Sequence, residues 1–148
     1  MTLNIQGVTH WSIPVNDLAE SEKFYSEVLG LEYRGRLGNS GMACLRAGDH
    51  EILLCERKDK VKRSVDQDNR LHHAFTVSAE DWERGVKLFA ELGVRMDELM
   101  YREKGFFTGR ELYFEDPSGN LLEIRDPTWQ AGMPKPTLEE LTGKAAAK

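Results

Sequence analysis

The sequence predicts an α+β fold built from two copies of a βαβββ module. Two short strand-like segments, residues 9–15 and 71–77, each carry histidine at the second position. Each is followed by an amphipathic segment that ends in Leu-Gly, and then by three further strand-like segments. Self-similarity at a fixed offset, here about 62 residues, is typical of a chain that repeats one structural unit.

The two modules are expected to form an open, cup-like, eight-stranded mixed sheet with the helices outside. Each amphipathic helix must bury its apolar stripe, so the helices should cover one face of the strands and leave the other face open. The predicted organisation is a single domain over residues 1–148, with modules at 7–56 and 71–126, a linker at 57–70 and a C-terminal extension at 127–148. In that extension, Trp129 and Met133 pack on the outside of the domain, contact a partner subunit or cover the cup.

Both predicted helices have end signals in the sequence. In the first helix, over residues 17–30, Asn16 or Asp17 is available as the N-cap. In the second, over 78–93, Ser78 followed by Asp81 resembles a capping box. The closing glycine of each Leu-Gly pair sits where a left-handed C-terminal cap favours glycine.

Composition excludes several classes of function. Of 148 residues, 40% are apolar and 30% charged, and the formal net charge is −5, which argues against a general nucleic-acid binder. No apolar run approaches the roughly 20 residues that span a membrane, and the first residues do not resemble a secretory signal. Two cysteines, Cys44 and Cys55, are too few for a disulfide framework and are expected to be reduced. We therefore expect a cytoplasmic protein.

Strand alternation places the two repeated histidines on the open face. Side chains of a strand point alternately to its two faces, so Trp11, Ile13 and Val15 should share the helix-covered face. His10 then points to the other face, together with Ser12. The same alternation in the second module puts His72 on the open face, and two sheets facing each other would bring the histidines together.

The last predicted hairpin adds an acidic residue to that face. The sequence Asp-Pro-Ser-Gly at 116–119 is typical of a turn. If the turn centres near Ser118, Tyr113 lies opposite Glu123 on the next strand. Glu123 stands between Leu122 and Ile124, where burying a carboxylate is costly unless it is paired or bound to a metal.

Two imidazoles and one carboxylate are therefore predicted to converge. His10, His72 and Glu123 form a 2-His-1-carboxylate set, which holds a divalent metal and leaves coordination positions open. The open positions would accept oxygens of a small-molecule substrate.

These residues resemble the vicinal-oxygen-chelate superfamily, which contains glyoxalases, bleomycin-resistance proteins and extradiol dioxygenases. The resemblance covers residues 7–126. It is carried by HWSIPVNDLAESEKFYSEVLGLEY, by LHHAFTV and by FEDPSGNLLEI. It implies the same three metal ligands and a homodimer, with the cup completed either within one chain or by exchange between chains.

Several functions remain open within that superfamily. The leading hypothesis is an extradiol-dioxygenase-like oxidoreductase with Fe(II), in which Tyr113, ten residues before Glu123, is catalytic. The first alternative is a fosfomycin-resistance thiol transferase with Mn(II), and the second is a metal-free antibiotic-binding protein. A glyoxalase I-type lyase is disfavoured because Leu53 stands where a fourth ligand would be, and Glu51 or Glu56 reaches that position only after a register shift. Substrate-binding candidates are Ser12, Lys104, Phe106 and Phe107, although the two phenylalanines could equally be core residues.

Overall fold

The chain contains two compact units. The computed structural model describes residues 3–4, 6–60 and 71–143 of the chain. The first unit comprises the described residues up to 60 together with the turn Pro117–Asn120, and the second comprises residues 71–116 and 121–143. Most of the predicted linker, 61–70, and the last five residues of the extension lie outside the described residues. No helix in the described part is long and apolar enough to cross a membrane.

Each unit has the order β-α-β-β-β. The first contains β1 (His10–Val15), α1 (Leu18–Lys23) continued by a π-helical turn (Phe24–Val28), β2 (Glu32–Arg36), β3 (Met42–Ala47) and β4 (His50–Glu56). The second contains β5 (His73–Thr76), α2 (Ala79–Leu92), β6 (Met96–Arg102), β7 (Gly109–Glu115) and β8 (Leu121–Asp126), followed by α3 (Leu138–Thr142).

The two sheets have the same topology. Each is four-stranded, with the orders β1-β4-β3-β2 and β5-β8-β7-β6. In each, the first strand lies parallel to the last strand of its module, and the remaining neighbours are antiparallel. The mixed sheets and the repeated order confirm the predicted fold class.

Capping residues set the helix ends as the sequence predicted. The Asp17 carboxylate, rather than Asn16, accepts a hydrogen bond from the Glu20 backbone N–H at 2.8 Å. Ser78 caps α2 by accepting from the Asp81 N–H at 3.1 Å. Gly93 ends α2 with φ of 70°, a left-handed conformation that costs glycine little.

The helix-facing side of each sheet is the core. In the second unit Trp82 and Val86 of α2 are fully buried, and the rings of Phe89 and Phe114 lie 4.5 Å apart. In the first unit Ile13 and Val15 are fully buried.

Trp11 departs from the prediction that it shares this buried face. It is 47% exposed. It lies near the start of β1, an edge strand of its sheet, whereas α1 packs against β3 and β4. Trp11 therefore lies at the sheet edge, away from the strands that make the main contacts with α1.

The described part of the C-terminal extension packs against its own unit. The Tyr101 hydroxyl donates to the Pro136 carbonyl at 2.6 Å, and the Trp129 indole donates to the Pro134 carbonyl at 2.9 Å. The two aromatic rings are 5.1 Å apart. Trp129 therefore packs beside β6 at the surface of the second unit, where its side chain is buried.

Candidate metal and substrate site

The hairpin of β7 and β8 has the register that the turn sequence predicted. Tyr113 lies directly opposite Glu123. Their neighbours Phe114 and Leu122 are fully buried on the helix side, so Tyr113 and Glu123 point to the opposite face of the sheet.

His72 meets Glu123 at this face. It immediately precedes β5, whose parallel pairing sets Ala74 beside Glu123. The His72 Nε2 lies 3.2 Å from Glu123 Oε2, and the two side chains are 30% and 6% exposed. The His72 and Tyr113 rings meet edge to face at 5.3 Å. The structure therefore brings together three of the four residues that were predicted to form the metal site and its catalytic tyrosine.

Burial controls the protonation of this cluster. It raises the pKa of Glu123, and the nearby Glu111 carboxylate raises it further, while the Tyr113 hydrogen bond, His72 and Arg125 act in the opposite direction. Burial, followed by the charges of Glu123 and Glu111, raises the pKa of Tyr113 to about 12. The phenol is consequently protonated at neutral pH and acts as a hydrogen-bond donor.

Three charged residues on the same face were missed by the sequence analysis. Arg102 donates from Nε and Nη2 to the buried Glu111 at 3.1 and 3.0 Å. Arg125 lies 4.0 Å from Glu111 and 3.8 Å from Glu123. Strand alternation carried the necessary information, because Glu111 is two residues from Tyr113 and Arg125 is two residues from Glu123.

His10 and Ser12 lie in the first unit, on the exposed half of β1. The Thr9 hydroxyl is 3.1 Å from His10 Nδ1. Within the described residues, no group of three or more His, Cys, Asp or Glu side chains is placed to hold a metal ion. The participation of His10 in a three-ligand site therefore stays a prediction.

Glu51, weighed as a fourth ligand, is already engaged by neighbours in its own sheet. It is the β4 partner of His10 in the strand register. Its carboxylate accepts from Arg46 Nε at 2.9 Å and from the Cys44 thiol at 3.1 Å. Both cysteines are free thiols, as expected.

The segment between β6 and β7 carries the other predicted substrate contacts. Phe106 is fully exposed and Phe107 is 65% exposed, so neither is a core residue. The Phe107 ring lies 5.2 Å from the Arg125 guanidinium, which places it at the edge of the Glu123 cluster. Lys104 is exposed in the same segment, and its role stays a prediction.

Comparison with known protein families identifies the superfamily of the chain. Residues 7–124 match the model of the glyoxalase/bleomycin resistance protein/dioxygenase superfamily. The chain belongs to this superfamily.

Similar proteins of this superfamily include two kinds of transferase. The chain is 33% identical over 122 residues to a glutathione transferase FosA of Serratia marcescens, covering 81% of this chain and 80% of the relative. It is 29% identical over 120 residues to a metallothiol transferase FosB of Staphylococcus haemolyticus, covering 81% and 83%. Among solved structures, the fosfomycin resistance protein FosX of Listeria monocytogenes aligns with a TM-score of 0.66 at 24% identity, covering 83% of this chain and 94% of that one, and it shows the fold.

These comparisons correct the leading functional hypothesis. The curated relatives are transferases, so the expectation of an extradiol-dioxygenase-like oxidoreductase is wrong, and its Fe(II) has no support. The prediction that the chain is an enzyme of this superfamily is supported. A divalent metal fits the name metallothiol transferase, which several relatives carry.

Proposed function

We propose that this protein is a metal-dependent thiol transferase that acts on a small electrophilic substrate, with fosfomycin as the first substrate to test. The names of the FosA and FosB relatives support this assignment. The observation that carries it is the contact of His72 with Glu123 beside the Tyr113 hydroxyl.

The donor set suits a divalent ion. Two ligands that each lie about 2.1 Å from one ion are about 3 Å apart when they occupy adjacent coordination positions. The 3.2 Å between His72 Nε2 and Glu123 Oε2 agrees with that spacing. We assign His72, Glu123 and His10 as the ligands, with His10 supplied by the same chain or by a partner in a homodimer, and Mn(II) as the metal. The bound ion would act as a Lewis acid toward a substrate oxygen.

The transfer joins the sulfur of a thiol to an electrophilic carbon. The C–S bond forms as a C–O bond breaks, the oxygen keeps the bonding electron pair, and the proton lost by the thiol neutralises it. Tyr113, protonated at neutral pH, orients the Glu123 carboxylate by hydrogen bonding. The hydroxyl has one proton to donate, so during the transfer it would shift this hydrogen bond to the substrate oxygen on which negative charge develops.

The remaining substrate contacts are assigned from the positions of their residues relative to the cluster. Phe107 forms an apolar wall at the edge of the cluster, and Phe106 and Lys104 flank it on the same exposed segment. Ser12 accompanies His10 on β1. The enzyme acts as a single vicinal-oxygen-chelate domain in the cytoplasm.

Adduct formation tests the proposal. The protein is incubated with Mn(II), fosfomycin and either glutathione or L-cysteine, and the thiol adduct is quantified by mass spectrometry. Glu123→Gln removes the anionic ligand, while Glu115→Gln makes the same change elsewhere on the second sheet, where Glu115 lies 3.4 Å from Arg95.

We expect Mn(II)-dependent adduct from the wild type and from Glu115→Gln, and none from Glu123→Gln. Adduct formation that is independent of both metal and Glu123 would contradict the proposed site. If protein that binds Mn(II) forms no adduct with either thiol, fosfomycin is rejected as the substrate.

A further inference from the structure

Two phenylalanines project into solvent from the segment between β6 and β7. We call residues 103–108 the aromatic segment. Phe106 is fully exposed and Phe107 is 65% exposed. Because a phenylalanine side chain has about 200 Å² of surface, the two rings leave roughly 300 Å² of apolar surface in contact with water. Exposed apolar surface of this size often marks a place where a ligand or a partner binds.

The aromatic segment is held at both of its ends. At its start, the Glu103 carboxylate forms an ion pair with Lys135, which belongs to the C-terminal extension that is anchored beside β6. At its end, the Thr108 carbonyl accepts a hydrogen bond from Arg125 Nη2 at 2.9 Å. These contacts fix the points at which the segment leaves and rejoins the sheet. The exposed rings therefore belong to an anchored surface rather than to an unattached loop.

The aromatic segment is continuous with the proposed reaction site. The Phe107 ring lies 5.2 Å from the Arg125 guanidinium, and Arg125 Nε lies 3.8 Å from Glu123 Oε1. On its other side, Glu123 meets His72. A substrate whose reacting oxygen lies at Glu123 can therefore extend past Arg125 and reach the two rings.

Fosfomycin does not account for this apolar surface. Its one apolar substituent is a methyl group, which covers about 30 Å². That area is on the order of a tenth of the surface that the two rings expose. An aromatic group on the substrate would match the rings in area and in shape, because aromatic rings pack edge to face or offset with a gain beyond the area they bury.

We propose that the aromatic segment is a subsite for an aromatic group of the substrate, so that the natural substrate is an electrophile larger than fosfomycin. Phe107, backed by the Arg125 guanidinium, forms the inner wall of this subsite, and Phe106 forms its outer wall. The inference rests on the proposed function only for the electrophilic carbon and its oxygen at Glu123. The substrate class is an epoxide or a similar electrophile that carries an aromatic substituent.

Binding of two vicinal diols tests the subsite without turnover. Styrene glycol and propylene glycol present the same pair of oxygens and differ only in a phenyl or a methyl substituent. Each is titrated into the full chain, metal-free and with Mg(II) as a diamagnetic substitute for Mn(II), and binding is followed by ligand-observed nuclear magnetic resonance. Phe106→Ala/Phe107→Ala removes both rings and should fold, because both are exposed. Leu92→Ala removes another exposed apolar side chain, at the end of α2, and is the matched control.

We expect the wild type and Leu92→Ala to bind styrene glycol about tenfold more tightly than propylene glycol, and the double variant to bind both alike. Equal affinity for the two glycols in the wild type, no binding of either, or an unchanged preference in the double variant would overturn the subsite.

Two further outcomes separate this subsite from its alternatives. If sedimentation velocity shows that only the double variant forms a smaller assembly than the wild type, the rings pack against a second copy of the chain and the subsite is rejected. A preference for styrene glycol in protein that forms no thiol adduct with fosfomycin would support the subsite and reject fosfomycin as the substrate. Adduct formation without that preference would support the proposed function and reject the subsite.

Discussion

Replacing Tyr113 with phenylalanine isolates one hydroxyl in the proposed metal site. The ring that meets His72 edge to face at 5.3 Å is retained, while the hydrogen bond to Glu123 is lost. Because the Glu123 side chain is only 6% exposed, water cannot readily replace the missing donor. A hydrogen bond to a charged group contributes about 1.5–3 kcal/mol. Because this hydrogen bond is present before a metal binds, only its effect on the ionisation and orientation of Glu123 enters the metal affinity. Loss of such a contact to a metal ligand typically lowers affinity about 10- to 100-fold, and we expect a decrease in that range.

The loss of metal affinity in Tyr113→Phe should depend on pH, in a direction set by the pKa of Glu123. A metal ligand must be ionised, and burial already raises the pKa of Glu123 while the Tyr113 hydrogen bond lowers it. Removing that hydrogen bond raises the pKa of Glu123 further. The affinity deficit of Tyr113→Phe should consequently be larger at about pH 5 than at about pH 8, because a larger fraction of Glu123 is ionised at the higher pH in both proteins.

Mn(II) titration followed by electron paramagnetic resonance measures both effects. Tyr33→Phe is the matched control, because the Tyr33 hydroxyl also donates to a glutamate, Glu22, at 2.9 Å but in the first unit. Equal Mn(II) affinity in wild type and Tyr113→Phe at both pH values, with both proteins folded, would refute the assigned role of the hydroxyl.

Three further predictions concern stability. Glu123→Gln should raise the melting temperature of the metal-free protein at about pH 8 but not at about pH 4. A carboxyl group whose pKa is raised by folding stabilises the fold at low pH, and this stabilisation is lost as the pH rises. An equal shift in melting temperature at both pH values would contradict this prediction. Arg110→Met should cost about 3–5 kcal/mol in urea unfolding, because it leaves Asp126, 1% exposed and 2.9 Å away, without its cation; Arg110→Met/Asp126→Asn should recover most of the loss, and no recovery would count against this ion pair. Gly109→Ala should cost at least about 2 kcal/mol, because φ is +140° and the new Cβ would lie 2.4 Å from the Asp126 carbonyl oxygen; unfolding like that of the wild type would reject the strain.

Much of the fold was predictable because local patterns agreed with each other. The repeated strand-helix-strand order, the caps at Asp17 and Ser78 and the Tyr113–Glu123 register all follow from short-range rules. The exposed position of Trp11 does not follow from these rules. An apolar residue in a strand indicates a buried face, but it does not show how far along the strand the helix extends.

The site was less predictable for two physical reasons. Alternation shows which face a side chain occupies but not its partners, so the contacts of Arg102 and Arg125 with Glu111 emerged only from the distances. The reaction depends on which groups surround a metal rather than on the fold, and the same superfamily hosts several chemistries. Here the transferase relatives, and not the ligand motif, corrected the dioxygenase hypothesis.

The number of Mn(II) ions bound per chain tests the central claim most directly. It is measured by equilibrium titration for wild type, His72→Ala and His73→Ala, since His73 adjoins His72 but lies opposite the helix-side residue Leu122 in the strand register. We expect one ion per chain in wild type and His73→Ala, and loss of that ion in His72→Ala. Unchanged binding in His72→Ala, or no binding in the wild type, would contradict a metal held by His72 and Glu123.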